Sequence, residues 1–145
     1  MLKLSNRLEE VLILAYGMGL REVDIARRLN ITRQAVSKAL KEAKARLTEI
    51  FITLADILNA DLVRVELSKG YAVLRIRQNN TRAYIIYVPG RGPRIIFKDG
   101  LDCSSDNMKL CSEIVDACRK WGLIKDVSEE GLEEVIKNIL RRFEE

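Results

Sequence analysis

Apolar positions along the chain change period twice. Up to Leu58 they recur every three or four residues, from Leu62 every second residue, and beyond about residue 105 at the longer spacing again. Leu8, Val11, Leu12 and Ala15 predict a first helix, with Asn6 as its N-cap, Glu9 at the reciprocal capping position, and Gly17 and Gly19 as its end. A second, shorter helix over about 21–29 turns Val23, Ile25, Ala26 and Leu29 inward. The third starts after Thr32 and is long. Val36, Leu40, Ala43, Leu47, Ile50, Leu54 and Ile57 follow one another at intervals of four and three, a heptad seam that Phe51 and Leu58 widen. A helix of about 25 residues measures ~37 Å, more than a three-helix unit can cover. The expectation is therefore that Leu47, Ile50, Phe51, Leu54, Ile57 and Leu58 pair with the same helix of a second copy. The alternative is a helix packed on its own chain.

The period of two brings strands. "LVRVEL" places Val63, Val65 and Leu67 on one face. "YAVLRIR" places Ala72, Leu74 and Ile76 on one face and Arg75 and Arg77 on the other. "RAYIIYV" is apolar on both faces, as a central strand is, and "RIIF" follows the turn "GRGP". Short connections make this a four-stranded antiparallel meander. "CSSDNMKLCSEIVDACRKWG" then returns to helix, capped by Ser105 or Asp106 and ended by Gly122, with Leu110, Ile114, Val115 and Trp121 on its apolar face. Ser128 caps a last helix, with Val127 and Leu132 as a staple and Leu132, Val135, Ile136, Ile139, Leu140 and Phe143 inside. The fold class is α+β: a three-helix N-terminal domain over 1–46, a helical linker or dimerisation extension over 47–60, and a sensing or dimerisation domain over 61–145 with two C-terminal helices.

The short break between the second and third helices carries the functional reading. Two steeply crossing helices need a small residue at their approach, and Ala26 supplies it. Their turn needs a residue that tolerates positive φ, and Asn30 does so at little cost. Ile25, Leu29, Ile31, Val36 and Ala39 anchor both helices, and Thr32 caps the second. This is the specification of a helix-turn-helix, with an ordinary helical corner bearing a solvated basic face as the alternative. Arg33 can reach a guanine edge or a phosphate, Gln34 can bond an adenine edge through both amide atoms, and Ser37 is a short adaptable partner. Lys38 and Lys41 suit phosphates, and Arg27 and Arg28 can grip the backbone where the second helix crosses it. The expected DNA-binding set is thus Arg27, Arg28, Thr32, Arg33, Gln34, Ser37, Lys38 and Lys41.

The stretch "LSNRLEEVLILAYGMGLREVDIARRLNITRQAVSKALKEAKARL" resembles the helix-turn-helix shared by sigma factor region 4 and LuxR-type regulators. More loosely, together with the step into "VRVELSKG", it is similar to archaeal Tfx-type transcription regulators. The resemblance implies DNA-binding transcriptional regulation with the third helix in the major groove. It covers about a third of the chain.

Charge agrees with that reading. Residues 1–59 carry 10 basic and 7 acidic side chains, 60–101 carry 8 and 3, and 102–145 carry 7 and 11. Positive charge is concentrated where a polyanion would lie, and the acidic end suits a solvated surface or a protein contact. Arg75, Arg77, Arg82, Arg91 and Arg94 make the sheet positive. Either the hairpin tip near Arg91 and Arg94 touches DNA phosphate, or these charges protect sheet edges from aggregation.

With 48% apolar and 32% charged residues the chain packs a core. It shows no secretory pattern and no membrane-length apolar run, so a cytoplasmic protein is expected. Abundant Glu, Lys, Arg and Ile with only two Gln fit a thermophile. Histidine is absent, and no paired carboxylates, nucleophile–base set or metal cluster can be assembled, so neither an enzyme nor a cofactor is expected. Cys111 and Cys118, on the face of Ile114 and Val115, read as buried free thiols. A disulfide or metal site through Cys103 is the alternative. The expected function is a homodimeric regulator binding double-stranded DNA, with a small-molecule or protein effector at the C-terminal domain. The competing reading is an adaptor whose helix-turn-helix contacts a partner of the transcription machinery.

Overall fold

The computed structural model describes residues 2–125 and 131–145. Helix α1 (Asn6–Leu12) runs on into a π turn (Ile13–Gly17), followed by α2 (Glu22–Leu29) and α3 (Arg33–Ile57). Four strands come next, β1 (Ala60–Glu66), β2 (Tyr71–Ile76), β3 (Thr81–Val88) and β4 (Gly92–Phe97). Helices α4 (Met108–Lys120) and α5 (Leu132–Phe143) close the chain. This is the predicted α+β order. The sheet is an antiparallel meander in the order β1-β2-β3-β4.

Several local expectations shift. Ser5, not Asn6, caps α1, its Oγ accepting from Leu8 N at 3.4 Å. Val23, expected inside, is exposed, although Ala26 three positions on is buried. A 3-10 turn (Ser105–Asn107) precedes α4, so Asn107 rather than Ser105 or Asp106 stands at its start. The predicted cap Ser128 and staple residue Val127 lie outside the described residues. Strand β1 carries a bulge between Leu62 and Arg64, which leaves Val63 unpaired and exposed at the sheet edge instead of on an inner face.

Residues directly opposite in an antiparallel pair share a face. Tyr71, Val73, Tyr84, Ile86 and Ile96 therefore form one face, and Ala72, Leu74, Ala83, Ile85 and Tyr87 the other. The first face meets α5: the Phe143 ring stacks on Tyr71 at 3.6 Å, and Tyr84 Oη donates to Glu144 at 2.8 Å. The second meets the N-terminal helices. Tyr87 Oη donates to Glu9 Oε2 at 2.6 Å and accepts from Leu4 N at 2.7 Å, and Gly90 N donates to the same Glu9 oxygen at 2.9 Å. Glu9 is thus no capping residue but a buried carboxylate joining α1 to the β3–β4 hairpin. Removing the phenol oxygen leaves that carboxylate short of a donor inside the protein. Tyr87→Phe is expected to cost about 2 kcal/mol, read as a lower urea midpoint at unchanged slope.

Covered on both faces, the sheet also covers α3. Val36, Leu40, Ala43, Leu47, Ile50, Phe51 and Leu54 are buried against α1, α2 and β1. The seam assigned to a second copy is therefore filled by the chain itself. Of the six residues expected to dimerise, Leu47, Ile50, Phe51 and Leu54 are buried, Leu58 is half-buried and only Ile57 is exposed. One buried cluster runs from Leu4 to Phe143, across the boundary drawn near residue 60.

The N-terminal helices, the sheet and α4 converge at one junction. Lys69 Nζ donates to the carbonyls of Tyr16 (3.2 Å) and Trp121 (3.3 Å), oxygens that helix ends leave without partners. Trp121 Nε1 donates to Tyr87 O at 2.7 Å. A Cβ on Gly17 would lie 2.0 Å from Lys120 O, so only glycine permits this approach.

The cysteines depart from expectation. Cys118 is buried and free, but Cys103 and Cys111 form a disulfide, with Cα atoms 5.7 Å apart. The connection after β4 folds back over the first turn of α4, a proximity that sequence spacing does not reveal.

Candidate nucleic-acid interface

The turn between α2 and α3 is built as its residues require. Asn30 takes φ 57° and ψ 46°, in the left-handed region. Ile31 N donates to Ala26 O (3.0 Å) and Asn30 N to Arg27 O (3.3 Å), a paired closure that ends α2 and satisfies its last carbonyls. Thr32 is extended, and its Oγ1 accepts from Ala35 N at 3.0 Å to cap α3. Its hydroxyl hydrogen remains able to donate to a phosphate.

Helical geometry then divides α3 into two sides. Val36, Leu40, Ala43 and Leu47 face inward and are buried. Gln34, Ser37, Lys38 and Lys41, spaced by three or four along the helix, share the outward side. Gln34, Lys38 and Lys41 are exposed and Ser37 is half-buried, while Arg33 is exposed on the first turn. Among the described residues, the side chains of Arg33, Gln34, Lys38 and Lys41 make no hydrogen bond or ion pair. Arg27 and Arg28 stand exposed on the last turn of α2, Arg27 Nη1 lying 3.9 Å from Asp24 Oδ1. All eight predicted residues thus lie on the turn and the two helices it joins.

Nearby carboxylates are neutralised locally. Arg21 Nε lies 3.0 Å from Asp24 Oδ2, and this hydrogen bond holds the Asp24 carboxyl below the usual range. Glu42 pairs with Arg46 at 3.1 Å. The segment 21–46 holds 8 basic and 3 acidic side chains, so the free charge of this surface is positive.

Two cations absent from the predicted set flank Lys38. Arg7 and Arg46 line a recess of about 440 Å³ between α1 and α3, with Ser5, Ala35 and Lys38. Arg7 lies 3.6 Å from Glu10. No sequence signal links the two arginines, because the helix crossing that joins them is tertiary.

The sheet arginines do not extend this surface. Arg91 and Arg94 lie 3.9 and 3.5 Å from Glu113 of α4. Arg75 and Arg77 both bind Asp61, Arg77 Nη2 at 2.7 Å, and Arg82 lies 3.4 Å from Glu144. Arg91 and Arg94 thus have an internal carboxylate on α4 as partner, which charge counting along the sequence does not reveal. Among the described residues no group of three or more His, Cys, Asp or Glu could hold a metal ion, and no helix is long and apolar enough to cross a membrane.

Two helices joined through a left-handed asparagine, with a capped and exposed basic helix after it, define a helix-turn-helix module. Residues 1–47, about a third of the chain, match the family model described as sigma-70, region 4. That match supports a helix-turn-helix DNA-binding role in transcription for this segment. No curated protein and no solved structure matches the chain.

Proposed function

We propose that the protein is a transcriptional regulator that reads duplex DNA through residues 33–41 of α3. The observation that supports this most is the outward face of α3: Arg33, Gln34, Lys38 and Lys41 are exposed and, among the described residues, without internal partners, while Val36, Leu40, Ala43 and Leu47 on the other side are buried. Arg33 and Gln34 take base edges, Ser37 adapts, and Lys38, Lys41, Arg27 and Arg28 hold phosphates. Gel shifts with mixed genomic fragments across salt concentrations test the reading. Binding should weaken steeply with salt and still favour particular fragments. Negligible DNA binding at moderate salt, with strong capture of a transcription-machinery protein, would favour the adaptor instead.

The regulator acts without enzymatic chemistry and as a homodimer. With the seam covered, the second copy pairs through the exposed Ile57, Val63 and Val65 near the β1 edge. Sedimentation should give about twice the 16.6 kDa chain mass, and a strict monomer at high micromolar concentration would remove the dimer. A small effector fits the cavity of about 390 Å³ beside α5, whose lining combines apolar Leu101 and Leu140 and the Tyr84 ring with Lys98, Lys137 and Arg141 and the carboxylates of Asp99 and Glu144.

A further inference from the structure

We infer that the Cys103–Cys111 bond is a thiol–disulfide exchange site, opened in the folded protein by a dithiol reductant, and that its opening loosens α4 and so alters DNA affinity. The last clause rests on the regulator reading above; the exchange chemistry does not. Disulfides that an incoming thiol can reach are the labile, regulatory ones, whereas framework bonds resist reduction.

The two cysteines differ in exposure. Cys103 is half-buried in the connection after β4, and Cys111 is buried in α4. An incoming thiolate therefore attacks Cys103 Sγ. The S–S bond breaks, its electron pair goes to Cys111 Sγ, and that sulfur takes up a proton. Asp102 O, 3.9 Å from Cys111 Sγ, can accept the new S–H. The second thiol of the reductant then attacks the mixed disulfide and releases Cys103, and the reductant leaves as its cyclic disulfide. Two electrons pass from dithiol to protein. Cys118 takes no part, since burial pushes its thiol up to about 12.

What the bond restrains gives the site its consequence. It ties the connection after β4 to the first turn of α4, and Cys103 N also donates to Glu133 Oε1 of α5 at 3.4 Å. The other end of α4 is the junction described above. Lys120 O lies against Gly17, and Lys69 bridges the carbonyls of Trp121 and Tyr16. One helix of 13 residues thus has the disulfide near its start and the helix-turn-helix module at its end.

The full chain, equilibrated natively with defined ratios of reduced and oxidised dithiothreitol, is trapped and alkylated, and its mass gives the thiol count. Amide exchange of α4 and duplex binding are followed on the same samples. Expected are two additional alkylated thiols on reduction, faster exchange over 108–120, and a change of about fivefold or more in DNA affinity. Cys103→Ser should show the reduced behaviour with or without dithiothreitol, and the wild-type titration decides alone if that variant does not fold. A bond that resists dithiothreitol until the chain unfolds would make it a structural staple and overturn the inference. So would opening with unchanged exchange in α4, or measurable DNA binding of equal affinity in both states. If the bond opens and α4 loosens while neither state binds any duplex, the regulator reading fails and the exchange site stands.

Discussion

Arg33→Ala combined with Gln34→Ala is expected to flatten the preference for the best DNA site by about 10- to 100-fold, leaving non-specific binding nearly intact. A bidentate contact to a base edge contributes about 1–3 kcal/mol of discrimination against the wrong base, and these two exposed side chains are the first two residues of α3. Competition binding against a randomised duplex reads the ratio directly. Lys38→Ala and Lys41→Ala provide the contrast: each should weaken all duplexes alike and reduce the salt slope by about one. The fold should not respond to the double substitution. The Thr32–Ala35 cap remains, Val36 and Leu40 keep their packing, and alanine is a good helix former. If the double variant and the parent rank all duplexes identically, α3 does not read sequence.

The parts of the molecule legible in sequence are those whose causes are local. Ala26, Asn30 and Thr32 lie within seven positions of one another, and each acts on backbone a few residues away. Nothing distant is needed to form that turn, so its φ angle, its closure and its cap all follow from residue type. The meander was legible for the same reason, since alternation and turn residues specify neighbouring strands. The two-sided apolar pattern of β3 also anticipated its cover, Ala83–Val88 being buried throughout.

Partners across the fold were not legible. The heptad pattern of α3 states that one side must be buried, but it does not state against what. A sheet starting at Ala60 supplies that cover, which made the argument from helix length misleading. Glu9 at a capping spacing looked local, yet its donors are Tyr87 and Gly90, about 80 positions on. Arg91 and Arg94 looked free because their neutralising Glu113 sits on a later helix. A disulfide through Cys103 was the alternative reading, but its partner Cys111 was not legible, because eight residues of separation admit a bond only once the connection folds back. In each case a sequence pattern fixed the need and tertiary structure chose the partner.

Trp121→Ala should be the most damaging single substitution at the junction, lowering stability by about 3–5 kcal/mol. The indole is 1% exposed, and its Nε1 donates to Tyr87 O. Its loss leaves a cavity between α4 and the sheet and strips the Tyr87 carbonyl, near the end of β3, of this donor. Against a total of about 5–15 kcal/mol for domains of this kind, that loss removes a large share. Gly70→Ala should damage the same contact from the opposite side. Gly70 has φ +68°, and a Cβ there would lie 2.1 Å from the indole ring, so the substitution strains the backbone and displaces the tryptophan together. Because the buried cluster runs without interruption from the N-terminal helices through the sheet to α5, both variants should unfold in one transition, at a lower urea midpoint, by near- and far-ultraviolet circular dichroism alike. A helical fraction that melts at the parent midpoint while the sheet melts early would show that residues 1–47 fold on their own. Lys69 and Trp121 would then hold together two independently stable units rather than complete one core.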